Sequence, residues 1–402
     1  MSVPLLIVII YIVVLYAVSW YSTKLTGKGG AIGFFLANRG FPAIVVAVMI
    51  AGQAIGGAST VGVAQNSYTQ GLSAGMYNAA WAIGAIILGL LCADRYRNLQ
   101  IATIPDLFER FYSSSGRLLG VIGQLIILLT IVALQYVAGG AVLTALMPQY
   151  FNFNSGMIIT AIVFVGICLI GGYWAAGLSN LINVIVIYIG LVIGAVMVVN
   201  SAGGLSTMQE NLVDPHWFSW VDGVGMVGVV SWFAVMITQA FGAQGPAQVT
   251  FAAKDGKTAR NGFLIGGLLI LPVGFVSALF GMAAATKYPG LENSAMALPT
   301  ILMEQPSIIS GLTLAGLWAA DVSTAVGLLL GAATMLMVNV IKPMMKPNWT
   351  HSQELKYSRL LVLLVAIVTF IMALQVRSIL GTIMIGLSLT TAYTIILLAT
   401  LF

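Results

Sequence analysis

Charge is nearly absent from this sequence. Of 402 residues, 7% are Asp, Glu, Lys or Arg and 60% are hydrophobic, and the mean hydropathy is +1.03. So few charges cannot cover a water-soluble surface, and the profile is that of a polytopic membrane protein. Histidine is scarce too: His216 and His351 both lie in connecting segments. Cys92 and Cys168 fall in or at the end of apolar runs without paired spacing, which argues against a disulfide framework or a metal centre. The apolar runs hold no histidine, no nucleophile–base pair and no second carboxylate of the kind membrane proteolysis requires. The expectation is a protein that is not an enzyme, has no cofactor or transition metal, and does not bind nucleic acid.

What the chain has is long apolar runs. Only helices and closed barrels satisfy the whole backbone in hydrocarbon, and these runs do not alternate, so the expected fold is an all-α bundle. Reading between polar breaks gives eleven transmembrane helices, at about 3–20, 43–63, 72–92, 118–147, 157–172, 176–199, 224–241, 262–285, 309–340, 357–376 and 379–402. The first run lacks a basic leader and a small-residue cleavage site, and is expected to be a retained helix.

Positive charge orients the bundle. With the N-terminus outside and the C-terminus cytoplasmic, the inner segments carry Lys24, Lys28, Arg39, Arg95, Arg97, Arg110, Arg117, Lys254, Lys257, Arg260, Lys342, Lys346, Lys356 and Arg359. Only Lys287 and Arg377 fall outside.

Two runs are broken by glycine and polar residues: AGQAIGGASTVGVAQN (51–66) and TQAFGAQGPAQVT (238–250). They are the second and seventh helices, five apart, so with the first helix set aside each opens a five-helix half. Five is odd, and the halves are inverted. Broken helices at matching places in inverted halves point to a transporter's binding site. The expected organisation is a leading helix and cytoplasmic loop (1–42), a first repeat (43–199), an extracellular connection (200–223) and a second repeat (224–402).

The ninth run carries LWAADVSTAVG (317–327). Asp321 is the one carboxylate inside any apolar run, at an insertion cost of about 2.5–3.5 kcal/mol. Ala320, Ser323 and Thr324 share one helix face by i, i+3, i+4 spacing. Two hydroxyls and a carbonyl, opposed by carbonyls freed in a broken helix, make an all-oxygen cage suited to a hard cation. Ser and Thr that merely bond back to the preceding turn are the plain alternative. Asp321 is rotated about 100° from Ala320 and flanks that face. Three readings stand for it: negative charge behind the ion site, a titrating group, or a neutral acid bonded to a neighbouring helix.

GASTVGVAQNSYTQGLSAG (57–75), ATIPDLFERFYSSSGR (102–117), GGYWAAGLSNLIN (171–183), AAKDGKTARNG (252–262) and LAGLWAADVSTA (314–325) together resemble the sodium/solute symporter family. Its members carry proline, pantothenate, sugars, sialic acid and other small solutes. The resemblance implies an inverted five-plus-five repeat of the leucine-transporter type, with one leading helix. It also implies a sodium site built from the carbonyls of Gly52, Ile55 and Ala320 and the hydroxyls of Ser323 and Thr324. A second sodium site of some relatives would need an acid and two hydroxyls where this chain has Asn180, Val326 and Gly327, so one coupling Na+ is expected. Asp321 and Asn180 are the residues that would support coupling.

Candidate solute ligands between the broken helices are Gln53, Ser59, Asn78, Gln135, Gln239 and Gln244, with Tyr77, Trp81 and Trp232 as walls; each is equally open to being helix–helix glue. Gln239 and Asn78 depart from the gate and ligand of the sugar carriers, which argues against a galactose-type pocket. The expected function is sodium-coupled uptake of a small organic solute across a prokaryotic plasma membrane. The alternatives are proton coupling through Asp321, or a sensor or scaffold that does not transport. Oligomeric state is not legible.

Overall fold

The computed structural model describes residues 2–27, 29–292, 294–345, 348–375, 394–397 and 399. They are almost wholly helical; the one extended pairing among them is an isolated bridge between Phe41 and Ala253. The first half runs α1 (Val3–Thr26), α2 (Gly30–Leu36), α3 (Ala43–Ala54), α4 (Val63–Gln70), α5 (Met76–Leu91), α6 (Ala93–Asn98), α7 (Ile104–Phe111), α8 (Ser114–Leu146) and α9 (Phe153–Ser201). After α10 (Gly204–Asn211), the second half runs α11 (Met226–Gly242), α12 (Gln244–Ala252), α13 (Gly256–Lys287), α14 (Ala297–Met303), α15 (Ser307–Met335), α16 (Lys342–Met345) and α17 (His351–Ala373).

Among the described residues, seven helices are long and apolar enough to cross a membrane, or eight if α11 and α12, bent by 45° at their junction, form one span. The run expected at 379–402 lies outside the described residues for all but a few positions. The polar connections hold more helix than hydropathy suggested: α2, α6, α7 and α10 are short helices between the long ones. In α7 the reason is local, since Thr103 accepts from the Asp106 amide while Asp106 accepts from Thr103 N, a reciprocal cap.

The 49 residues of α9 are continuous by length but reverse direction at Gly172 (φ 59°, ψ −138°). Along α1, Tyr16 donates to Ile162 O and Thr26 to Gly171 O, so the first arm of α9 runs parallel to α1. Ser19 meets Ser179 and Tyr11 donates to Asn183 Oδ1, so the second arm runs antiparallel. The two expected helices at 157–172 and 176–199 are therefore two arms of one hairpin. A Cβ on Gly172 would stand 2.4 Å from Phe34 O, and the backbone there is in the region that only glycine adopts readily.

The central position belongs to α15. Every residue from Thr313 to Met335 is buried, which is why the segment is apolar all round, without a polar stripe. It packs on both arms of α9: Trp318 donates to Thr160 Oγ1 on the first, and Thr313 to Gly190 O on the second. By contrast α1 lies outside, exposing Ile10, Val13 and Trp20.

The basic segments gather at one end. Arg39 donates to Gln100 O and Ile101 O. Arg97 donates to Ala253 O and Lys254 O, and Lys342 pairs with Glu354, which also accepts from Ala31 N.

Replacing Gly172 by alanine forces a side chain into a sparsely populated positive-φ conformation, at about 1–3 kcal/mol, on top of the clash with Phe34 O. Gly172→Ala is expected to lower the thermal unfolding midpoint of the purified protein. Gly116→Ala, whose Cβ would meet its neighbours at an ordinary 3.5 Å or more, is expected to leave it unchanged.

Candidate functional site

The first broken helix supplies the site's backbone oxygens. Helix α3 stops at Ala54; Ile55 leaves the helical region (φ −93°, ψ 85°), and after Gly56 and Gly57 the chain re-enters through a π-type turn over Ala58–Gly62. Such a break strips carbonyls of their helical donors. The carbonyls of Gly52 and Ile55 turn to α15 instead: Thr324 Oγ1 donates to Gly52 O (2.8 Å) and lies 3.3 Å from Ile55 O. Ser323 Oγ reaches Gly52 O (3.0 Å) and Ala320 O (2.8 Å). The five oxygens singled out in the sequence thus converge on one point between α3 and α15.

Glycine at 52 is required by that approach. A Cβ there would lie 2.5 Å from Asn180 Nδ2 and 3.1 Å from the Ser323 Cβ. Asn180 is therefore beside the cage, not in it. Its orientation is set by a buried relay, in which Tyr11 Oη donates to Asn183 Oδ1 (2.7 Å) and Asn183 Nδ2 donates to Asn180 Oδ1 (3.1 Å). That leaves the Asn180 amide nitrogen facing Met49 Sδ and Gly52. The relay was not foreseen, although Asn183 in an apolar run was a visible signal.

Asp321 is fully buried, and neither carboxylate oxygen has a hydrogen-bond partner of good geometry among the described residues. It does not reach the cage. Its Oδ1 faces the chain break, 2.8 Å from where a Cβ on Gly57 would stand.

The second broken helix is held differently. Ala243 is extended (φ −91°, ψ 144°) between α11 and α12. Gln124 of α8 bridges the gap with both ends of its amide: Nε2 donates to Gly242 O (2.6 Å) and Oε1 accepts from Gln244 N (2.9 Å). One side chain satisfies a carbonyl and an amide that the break left open, the condition for a break at membrane depth.

Between the two breaks lies a narrow cavity of about 40 Å³, enough for a few waters. Of the expected solute ligands, Gln53, Ser59, Tyr77, Trp81, Gln135 and Gln239 line it. Trp232 packs edge-on against Tyr77, ring centroids 5.9 Å apart. Thr324 and Gly56 line it too, so Thr324 belongs to both the cage and the cavity.

Besides Trp232, two candidates do not line it. Gln244 is engaged elsewhere, its Oε1 accepting from Ile104 N (2.8 Å) and its Nε2 near Gln248 Oε1. Asn78 is buried against Gly274. Among the described residues, Gln53 Oε1 and Nε2, Gln135 Oε1 and Gln239 Oε1 in the cavity have no hydrogen-bond partner, and no charged side chain lines it. Leu128, Ile131 and Leu328 supply apolar walls that periodicity could not tell from ordinary core.

Residues 34–402 match the family model described as the sodium:solute symporter family. The chain belongs to that family. It is 25% identical over 398 residues to the osmoregulated proline transporter OpuE of Bacillus subtilis (strain 168), an alignment spanning 94% of this chain and 79% of that protein. It is also 25% identical over 371 residues to the sodium/pantothenate symporter of Escherichia coli (strain K12), covering 88% and 76%. A substrate-bound, outward-open structure of a Na+-coupled sialic acid symporter shares the fold, with a TM-score of 0.82 at 17% identity over 93% of this chain and 81% of that one. Membership makes this symporter an integral membrane protein and a transporter rather than an enzyme, with Na+ as its coupling ion.

The geometry separates two classes of variant. Ser323→Ala and Thr324→Ala each remove a cage oxygen and are expected to raise the Na+ concentration for half-maximal uptake on the order of tenfold, or about 1.4 kcal/mol. Gln124→Leu orphans two buried backbone groups, at about 1–3 kcal/mol each, and is expected to lower the thermal midpoint. Gln239→Leu is expected to spare the midpoint and raise the solute concentration for half-maximal uptake.

Proposed function

We propose that this symporter moves one Na+ with one small polar organic solute per cycle. The ion is held by the carbonyls of Gly52, Ile55 and Ala320 and the hydroxyls of Ser323 and Thr324. The single observation that carries this reading is the convergence of those five oxygens across the break in α3. Val326, Gly327 and Asn180 offer no acid or hydroxyl for a second ion.

The solute occupies the cavity next to the cage and hydrogen-bonds to Gln53, Gln135 and Gln239, with Ser59, Tyr77 and Trp81 around it. Amides both donate and accept, and no fixed charge faces them, so a solute of balanced charge with both kinds of group fits best. Thr324 and Gly56 couple the two sites, because filling the cage fixes a hydroxyl that also forms the cavity wall. Ion and solute then favour the same conformation and shift the population together. Asp321 sits beside the break at Gly57 and does not touch the ion.

The organisation that supports this cycle is eleven transmembrane helices: a leading helix and loop (1–42), inverted repeats at 43–199 and 224–402, and an outer connection at 200–223. The broken helices α3–α4 and α11–α12 occupy matching places in the two halves. The gathered basic segments mark the cytoplasmic end, with the N-terminus outside and the C-terminus inside, in a prokaryotic plasma membrane.

Sodium-dependent thermal stabilisation across amino acids, monocarboxylates, sugars and vitamins identifies the solute by mass action. The reversal potential of its uptake in proteoliposomes then gives the stoichiometry, expected to be one Na+ per solute. Two sodium ions per solute would refute the single site. Uptake that persists without sodium and collapses with the pH gradient would favour proton coupling, and sodium-dependent binding without uptake would favour the non-transporting reading.

A further inference from the structure

Far from the cage, the end of α5 and the start of α13 enclose a groove of about 380 Å³. The two helices approach closely at Gly89, where a Cβ would lie 2.9 Å from the Phe263 Cβ and 3.3 Å from Arg260 O. Arg95, Lys257 and Arg260 line the groove together with Leu90, Leu91 and one acid, Asp94.

Several cations at this end are engaged: Arg39 and Arg97 with backbone carbonyls, Arg117 with Glu109, and Lys342 with Glu354. Lys257 and Arg260 form no ion pair among the described residues, and both are exposed. Asp255, the nearest acid in sequence, caps α13 by accepting from Thr258 N (2.7 Å). Asp94 lies across the start of α13 at Gly256. Lys257 and Arg260 therefore share with Arg95 a recess that holds one carboxylate, beside the N-terminus of a long helix, whose partial charge is also positive.

The groove also has an apolar side. Leu90 and Leu91 on α5, and Ile265 and Leu268 on α13, are all exposed and continue the hydrocarbon-facing surface. Arg95 lies just past the turn at Cys92 that ends α5 after Leu91, and Arg260 precedes Ile265 by five residues of α13, roughly 7.5 Å of rise. Cations at one rim and leucines at the other place the groove across the boundary between headgroups and acyl chains. A soluble anion would use only the first rim. Basic recesses between membrane helices on this side are suited to lipid headgroups.

We propose that this groove is a binding site for an anionic phospholipid, its phosphate held by Arg95, Lys257 and Arg260 and its acyl chains lying along Leu90, Leu91 and Leu268. The inference is independent of which solute is carried.

The test uses the purified full chain in nanodiscs or by native mass spectrometry, with phosphatidylglycerol and phosphatidylcholine of identical acyl chains as probes. The wild type is expected to prefer phosphatidylglycerol severalfold, and the Lys257→Gln, Arg260→Gln double variant to lose most of that preference. Lys24→Gln with Lys356→Gln removes the same charge from the same end and is expected to keep it. The single Lys257→Gln change, at an exposed position, is expected to give a smaller loss and serves if the double variant folds poorly. Equal loss in both double variants, or no preference in the wild type, overturns the proposal. Displacement of the lipid by an equal concentration of glycerol 3-phosphate also overturns it, assigning the groove to soluble phosphates.

Discussion

A helix that crosses hydrocarbon cannot leave backbone polar groups without partners, and this chain breaks that continuity at two places. Both breaks stand because side chains from a third helix complete them. At α3 the hydroxyls of Ser323 and Thr324 meet the freed carbonyls, and at α11–α12 the amide of Gln124 meets one carbonyl and one N–H. The arrangement of the bundle around these points follows from that need. Helix α15 has to sit at the centre to present its hydroxyls to α3, and α8 has to pass close enough to α12 for a glutamine to span the gap.

The two solutions differ in what they leave available. Gln124 is buried with both ends of its amide committed to backbone, so that break behaves as a fixed joint. The hydroxyls can rotate, and a carbonyl has two lone pairs, so the break in α3 can exchange a proton donor for a cation without moving the backbone far. The proposed ion cage and the cavity meet there for the same reason. Both use polar groups that the fold exposes but does not consume, and Gln53, Gln135 and Gln239 extend that set toward the solute.

Much of this was legible in the sequence. Hydropathy and glycine placement located both broken helices, and helical spacing put Ala320, Ser323 and Thr324 on one face. The hairpin at Gly172 was foreseen as two helices. What could not be read was which polar residue in an apolar run is structural. Gln244 and Gln124 look like Gln53 and Gln239 by type and setting, yet the first two are engaged with backbone and the last two line the cavity. Only the relative placement of helices, which no single-residue pattern encodes, distinguishes them. The Tyr11–Asn183–Asn180 relay escaped for the same reason, because its members are far apart in the chain.

The bonds within the cage bear on speed as well as affinity. A cluster of bare oxygens would repel itself when empty and hold its ion too firmly to let go. In the proposed cage each hydroxyl would turn its O–H back to a carbonyl as the ion departs, because Ser323 and Thr324 already donate to Gly52 O. A carrier must discharge its cargo into a compartment poor in sodium on every turn. Two rotating O–H bonds would then let the proposed site stand without its ion, and so keep the return half of the cycle from stalling.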